Sequence, residues 1–240
     1  MIRLVAPAKL TLSLRVVGVR DDGLHVIDAE MVALDLHDVV VVDPDRPGVV
    51  EVVGPQAGAG PADATNLAAQ ALALAGVDAG LSITKRIPAG AGLGGGSADA
   101  AAVLRWAGST DLLVASRLGA DVAFCLVGGR ARVTGIGEIV EPLPHVPRTV
   151  TLLTPDVHCS TPAVYRRWDE LGGPTDPSGN DLTPAALSVA PELARARDEL
   201  EAATSERARL AGSGSTWFVE GEHPGPGRVV ARTIPADWSG

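Results

Sequence analysis

Pro88-Ala89-Gly90-Ala91-Gly92-Leu93-Gly94-Gly95-Gly96-Ser97-Ala98-Asp99 lies between a strand-like run at 81–87 and a helix-like run at 98–107. Five of the seven residues from 90 to 96 are glycine, so the backbone can reach φ > 0 and turn successive N–H groups toward one anion. The helix that follows adds the positive end of its dipole. Ser97 stands where it can cap that helix, and Ala100, Val103, Leu104 and Ala107 give it an apolar stripe. The stretch reads as a phosphate grip. In a chain with 28 glycines, the competing reading is a tight turn that holds no ligand.

Outward from this loop, Leu10, Leu12, Leu14 and Val16 alternate with small or polar residues at the period of a half-buried strand opened by Lys9. Residues 39–43 and 49–53 read as two more strands around a Pro-rich turn. Asn66 starts a helix over 67–75 that Gly76 ends. A helix over 111–118 is followed by a small-residue turn, 119–125, that sets Asp121 beside an apolar segment. The prolines at 142, 144 and 147 prevent regular structure and mark the division between domains 1–145 and 146–240. The second part reads as strand 149–153, helix 161–171 with the single tyrosine Tyr165, polar loop 172–181, helix 191–203, and a strand, tight turn and strand over 207–219.

Composition narrows the function. The net charge of -9 argues against a nucleic-acid surface, and no run of basic residues offsets it. No export segment or apolar run of about 18 residues is present, so the expectation is a cytoplasmic protein with no membrane partner. Cys125 and Cys159 lack the spacing of a metal or redox motif, and the five histidines are scattered. Of the 20 basic residues only Lys9 and Lys85 are lysine. Lysine is a compact point charge and arginine a wide planar fork, so these two positions read either as places where arginine does not serve or as chance survivals.

Gly90, Gly92 and Gly95 formally match GxGxxG, yet no acidic residue ends a second strand about 20 residues on, as a dinucleotide fold requires. No Gly-Lys pair exists for a Walker loop, and neither HRD nor DFG occurs. What remains suits phosphoryl transfer to an alcohol: a glycine loop, one early lysine and one later aspartate. The loop would hold the phosphates, Ser97 would offer a hydroxyl to them or to Mg²⁺, Asp121 would accept the alcohol proton, and Lys9 would steady developing charge. For Asp121 the alternative is a helix N-cap.

These residues carry a resemblance that covers nearly the whole chain. It is similar to the GHMP small-molecule kinases, and among them to the branch acting on a cytidine-diphosphate-linked sugar alcohol in isoprenoid biosynthesis. The matching segments, in order, are Ala6-Pro7-Ala8-Lys9, Asp22-Gly23-Leu24-His25, Asn66-Leu67-Ala68, the loop 88–99, Gly119-Ala120-Asp121-Val122, Thr134-Gly135-Ile136-Gly137-Glu138, Ser160-Thr161, Asn180-Asp181-Leu182 and Gly212-Ser213-Gly214-Ser215. The resemblance implies an α+β, two-domain GHMP kinase fold, ribosomal-protein-S5-like at the N-terminus and ferredoxin-like at the C-terminus. It implies Lys9 and Asp121 as the catalytic pair, and Asn66 with residues 88–98 as the site for ATP with Mg²⁺. Thr11, Leu24, His25 and Tyr165 are implied as substrate-binding, with His25 on the cytosine and Tyr165 stacked on its ring. Gly212, Ser213, Gly214 and Ser215 are implied as a third motif that closes over the phosphates. The chain departs from the family pattern at Leu24 and Thr11, where tyrosine and asparagine are usual, and at Ala123 and Thr216. The implied protein is a monomer or homodimer. The other readings are a kinase for a different small alcohol and a nucleotide-binding homologue without turnover.

Overall fold

The computed structural model describes residues 1–238 and 240. Ile2–Val19 (β1) and His25–Asp43 (β2) form one long antiparallel hairpin. There follow Val50–Val53 (β3), Leu67–Leu74 (α1), Gly80–Thr84 (β4), Gly95–Trp106 (α2), Leu112–Leu118 (α3), Val122–Val127 (α4), Arg130–Gly135 (β5) and Ile139–Leu143 (β6). The remainder is Thr149–Leu153 (β7), Thr161–Glu170 (α5), Thr183–Val189 (α6), Leu193–Thr204 (α7), Arg209–Leu210 (β8), Trp217–Glu220 (β9) and Arg228–Arg232 (β10). No described helix is long and apolar enough to cross a membrane.

Strand β2 organises the larger sheet. One edge pairs with β1 along most of its length, while the other is shared by β5 at residues 27–32 and β4 at residues 39–43. Between those partners, single ties close the edge: Ala33 N–H donates to Gly129 O at 2.7 Å, and Ile234 N–H to Ala33 O at 3.0 Å. The smaller sheet, β10-β7-β9-β8, is antiparallel throughout.

Helix α2 packs on β1 and β2, with α1 and α4 beside it. Its residues 98–104 are all buried, and four of them are alanine, so neighbouring backbones approach closely where longer side chains would hold them apart. The apolar interior separates into two clusters. The larger runs from the sheet through α1, α2 and α4 to α5, α6 and α7. The smaller joins Leu10, Leu34, Ile87 and Leu93 to Leu152 and Phe218, and so fastens the two sheets together directly beneath the glycine loop.

The structure departs from the sequence reading in definable ways. Lys9 lies inside β1 rather than opening it. The helix after the loop begins two residues before Ser97, with Gly94 at the N-cap position, so Ser97 falls in the first turn and caps nothing. Residues 122–127 form a helix rather than a turn. Pro142 sits in β6, paired with Ala131; β6 is an edge strand, where a missing N–H costs no ladder bond.

Because Phe218 is fully buried in the cluster that joins the sheets, Phe218→Ala is expected to lower unfolding free energy by ~3–5 kcal/mol. Urea denaturation measures this, and a loss below about 1 kcal/mol would show that the joint collapses around the cavity.

Candidate active site

Strand β1 carries Lys9 and Thr11 on one face of the hairpin. The Lys9 ammonium is almost wholly buried; it donates to Thr11 Oγ1 at 3.2 Å and lies 3.3 Å from Asp121 Oδ2. Asp121 stands at the N-cap position of α4, but its carboxylate makes no capping hydrogen bond. The side chain is turned to Lys9 and stays 30% exposed, so it is reachable by a ligand.

The glycine loop passes over this pair. Lys9 N–H donates to Leu93 O at 3.0 Å. A Cβ on Gly94 would stand 2.7 Å from Lys9 Cγ and 3.6 Å from Asp121 Oδ2. Gly94 also has φ +66°, so both its conformation and its space exclude a side chain. On the other side, a Cβ on Gly92 would stand 2.4 Å from Ala211 O. Thr216 N–H donates to Ala91 O at 3.2 Å, and the loop and the turn at 212–215 therefore lie backbone against backbone. That turn is fixed from behind by buried Asn180, whose Nδ2 donates to Leu210 O at 2.9 Å and Gly212 O at 2.7 Å.

Two cavities meet at this point. One, of about 430 Å³, is lined by loop residues 88–92 and 94–97, together with Leu67, Lys85, His158 and Gly214. The other, of about 590 Å³, is lined by Lys9, Thr11, Leu24, His25, Tyr165, Gly212 and Ser213 among others. Gly92, Ser97, Asp121, Thr161 and Pro162 line both. Asp121 thus stands on the boundary between a glycine-lined chamber and a chamber with aromatic walls. Among the described residues no group of three His, Cys, Asp or Glu side chains is placed to hold a metal ion.

At the far end of the larger cavity, His25 and Tyr165 rings lie 4.7 Å apart and tilted by 36°. Trp168 meets His25 edge-on at 5.6 Å, and His25 Nε2 is 2.8 Å from Asp169 Oδ1. Burial, with the Asp121 charge adding to it, holds the Tyr165 phenol above its ordinary range, so the ring presents a neutral face. Leu24 is 47% exposed at the rim.

Most of the sequence-derived residues come together here, and four do not face either cavity. Leu93 and Ala98 turn into the core. Asn66 Oδ1 accepts the Ala68 N–H, and its Nδ2 donates to Pro61 O, leaving neighbouring Leu67 on the wall. Ser215 is buried behind Gly214. Sequence reasoning missed Trp168 and Asp169, although both lie one helical turn from Tyr165 on α5, the spacing that puts them on the same face. It also missed the part Asp181 plays in bracing β1: its carboxylate accepts from Arg15 Nη1 at 2.6 Å and from Val16 N–H at 3.2 Å.

Known proteins resemble this chain in sequence and in fold. A model of the GHMP kinases N terminal domain matches residues 62–129. The 4-diphosphocytidyl-2-C-methyl-D-erythritol kinase of Paracoccus denitrificans is 39% identical over 90% of this chain and 85% of its own length. The enzyme of the same name from Paramagnetospirillum magneticum is 39% identical over 97% of this chain and 95% of its own. A crystal structure of 4-(cytidine 5'-diphospho)-2C-methyl-D-erythritol kinase superposes with a TM-score of 0.77 at 31% identity, covering 97% of this chain and 99% of that one. Identity at this level along nearly the whole of both chains, with the fold in agreement, makes this chain a member of the 4-diphosphocytidyl-2-C-methyl-D-erythritol kinase family of GHMP kinases.

Proposed function

We propose that the protein moves the γ-phosphoryl group of ATP to the 2-hydroxyl of 4-diphosphocytidyl-2-C-methyl-D-erythritol, as a cytoplasmic enzyme of isoprenoid precursor synthesis. The observation that carries the reading is the placement of Lys9 and Asp121, 3.3 Å apart, where the glycine-lined and aromatic-walled cavities meet. Residues 1–145 would supply the donor site and most of the chemistry, and residues 146–240 the aromatic wall and the closing turn.

In this reading the N–H groups of the loop and of the first turn of α2 bind the triphosphate, since those helical donors have no partner within the helix. Ser97, on the wall of both cavities, would hold the Mg²⁺ that accompanies ATP; when bound, that ion neutralises phosphate charge. Asp121 accepts the proton of the attacking hydroxyl. Lys9 holds the carboxylate and hydroxyl in line and balances the charge that develops as the proton leaves. Thr11 fixes the Lys9 ammonium through their hydrogen bond. His25 and Tyr165 offer a stacked pair to a pyrimidine, and Asp169 on Nε2 sets which edge of the imidazole is free.

A second reading, a kinase for another small alcohol, rests on Leu24: it lines the acceptor cavity where a second aromatic ring would complete a sandwich around a base. The chemistry at Lys9 and Asp121 is the same in both readings, so substrate trials separate them. ADP release measured by a coupled assay is expected only when the diphosphocytidyl methylerythritol is supplied; release that ignores this compound, or requires a different alcohol, overturns the first reading. In the same assay Asp121→Asn is expected to lower kcat by about 10²–10⁴-fold with little change in the KM for ATP. A normal kcat in that variant would remove the aspartate from the proton step. Leu24→Tyr adds a ring face worth about 1 kcal/mol, so the acceptor KM should fall by about fivefold. An unchanged KM would mean that no base stacks at position 24.

A further inference from the structure

The mechanism uses one of the two lysines and leaves the other unexplained. Lys85 follows the last residue of β4, three residues before the glycine loop, and is 4% exposed. Its ammonium donates to Asp38 Oδ2 on β2 and, at 2.7 Å, to Asp99 Oδ2 on α2. Both carboxylates are buried, at 0% and 2% exposure. Asp38 makes a further pair of contacts: its Oδ1 accepts the backbone N–H groups of Arg86 at 2.5 Å and Ile87 at 2.9 Å. The ammonium therefore ties together the chain leading into the loop, the helix leading out of it and the central strand beneath. Gly95 rests on it, since a Cβ there would lie 3.1 Å from Lys85 Nζ.

We propose that Asp38, Lys85 and Asp99 form a buried charge cluster that sets the position of the phosphate loop, so that Lys85 is a positioning residue for the nucleotide. Burial of three ionisable groups is a poor way to gain stability alone, because desolvation offsets most of the attraction. A cluster that closes residues 85–99 into a ring has a geometric result instead: it fixes where the loop N–H groups stand relative to Lys9 and Asp121. Two carboxylates share one ammonium, and Asp99 Oδ1 is buried without a hydrogen-bond partner. Burial pushes the Asp99 carboxyl up to about 7 against the pull of Lys85. Burial also opposes the charge on Lys85, yet Asp99 and Asp38 together outweigh it and hold the ammonium above the ordinary lysine range. Two carboxylates and Gly95 all close on one nitrogen, which suits a compact ammonium better than a wide guanidinium and gives a physical reason for lysine in a chain that otherwise uses arginine.

The inference rests on the kinase reading, and binding measurements keep the two separable. Calorimetry with Mg-ATP on the full chain gives a dissociation constant that does not depend on the acceptor. The double variant Lys85→Met/Asp99→Asn removes the ammonium and one carboxylate together while Asp38 keeps its two backbone donors. It is expected to bind ATP about tenfold more weakly with the acceptor KM within about twofold, as a small displacement of positioned groups would produce. Lys85→Arg is expected to give no rescue. If the double variant does not fold, Asp99→Asn alone, which keeps the Lys85–Asp38 pair, is expected to weaken ATP about threefold. Folded variants that bind ATP as the wild type does, or that lose donor and acceptor affinity equally, overturn the proposal. Wild-type protein that takes up no ATP overturns the kinase reading and the inference with it.

Discussion

The structure depends on one constraint: the glycine loop is pressed between the Lys9 side chain and the backbone at 211–214, with no room for a side chain at Gly92 or Gly94. Gly94 rides on the Lys9 stem and Gly92 meets the carbonyl of Ala211, at would-be Cβ distances of 2.7 and 2.4 Å. Those approaches bring three distant parts of the chain, β1, the loop and the turn at 212–215, to a single place. Everything chemical follows from that meeting. The loop could bind an anion wherever it stood, but only here are Lys9 and Asp121 beneath it and the second cavity alongside.

Holding such a loop still is an energetic problem, because glycine loses more backbone freedom on ordering than any other residue. The fold meets it from both sides. Below, Leu93 and Ala91 enter the apolar cluster that also holds Leu10, Leu34 and Phe218. Above, Thr216 N–H donates to Ala91 O, and Asn180 steadies the opposing turn through two carbonyls. Leu93 is thus committed to packing while its neighbours Gly92 and Gly94 line the cavity, so it appears among the sequence-derived ATP residues yet faces the core. Lys9–Asp121, by contrast, is a weak contributor to stability with the carboxylate partly in solvent; its value lies in its location.

The glycine-lined cavity is legible in the sequence because its lining is local. A strand, five glycines in seven residues and a helix occur consecutively, and residues 88–92 and 94–97 line one cavity together. Lys9 and Asp121 were legible as residue types, but their 3.3 Å separation is a property of β1 lying beside α4 and has no trace in sequence spacing. The start of α2 at Gly95 escaped because a residue at φ +66° takes the N-cap position that propensity assigns to Ser97. The extent of β2 escaped as well: its residues 25–38 mix charged and small side chains, since one edge is shared between two partners and the pattern of burial changes along its length. Strand β5 and helix α6 have no counterpart in the sequence reading, although Gly128 and Gly129 precede the strand and Pro184 stands in the first turn of the helix.

The larger cavity is different in kind, since its residues come from β1, the rim of the hairpin, α5 and the turn at 212–215, among others. None of these is diagnostic alone. What links them mechanically is Asp181, which braces β1 through Arg15 and Val16, next to Asn180, which grips the turn. Two adjacent side chains therefore couple the strand that bears Lys9 to the turn at 212–215. A change in how the C-terminal elements sit against β1 would move Thr161, Tyr165 and the turn together rather than one at a time. If the proposed roles hold, selectivity for the acceptor belongs to the larger cavity and phosphate binding to the loop, and a change at Leu24, which lines only the larger cavity, alters the first without disturbing the second.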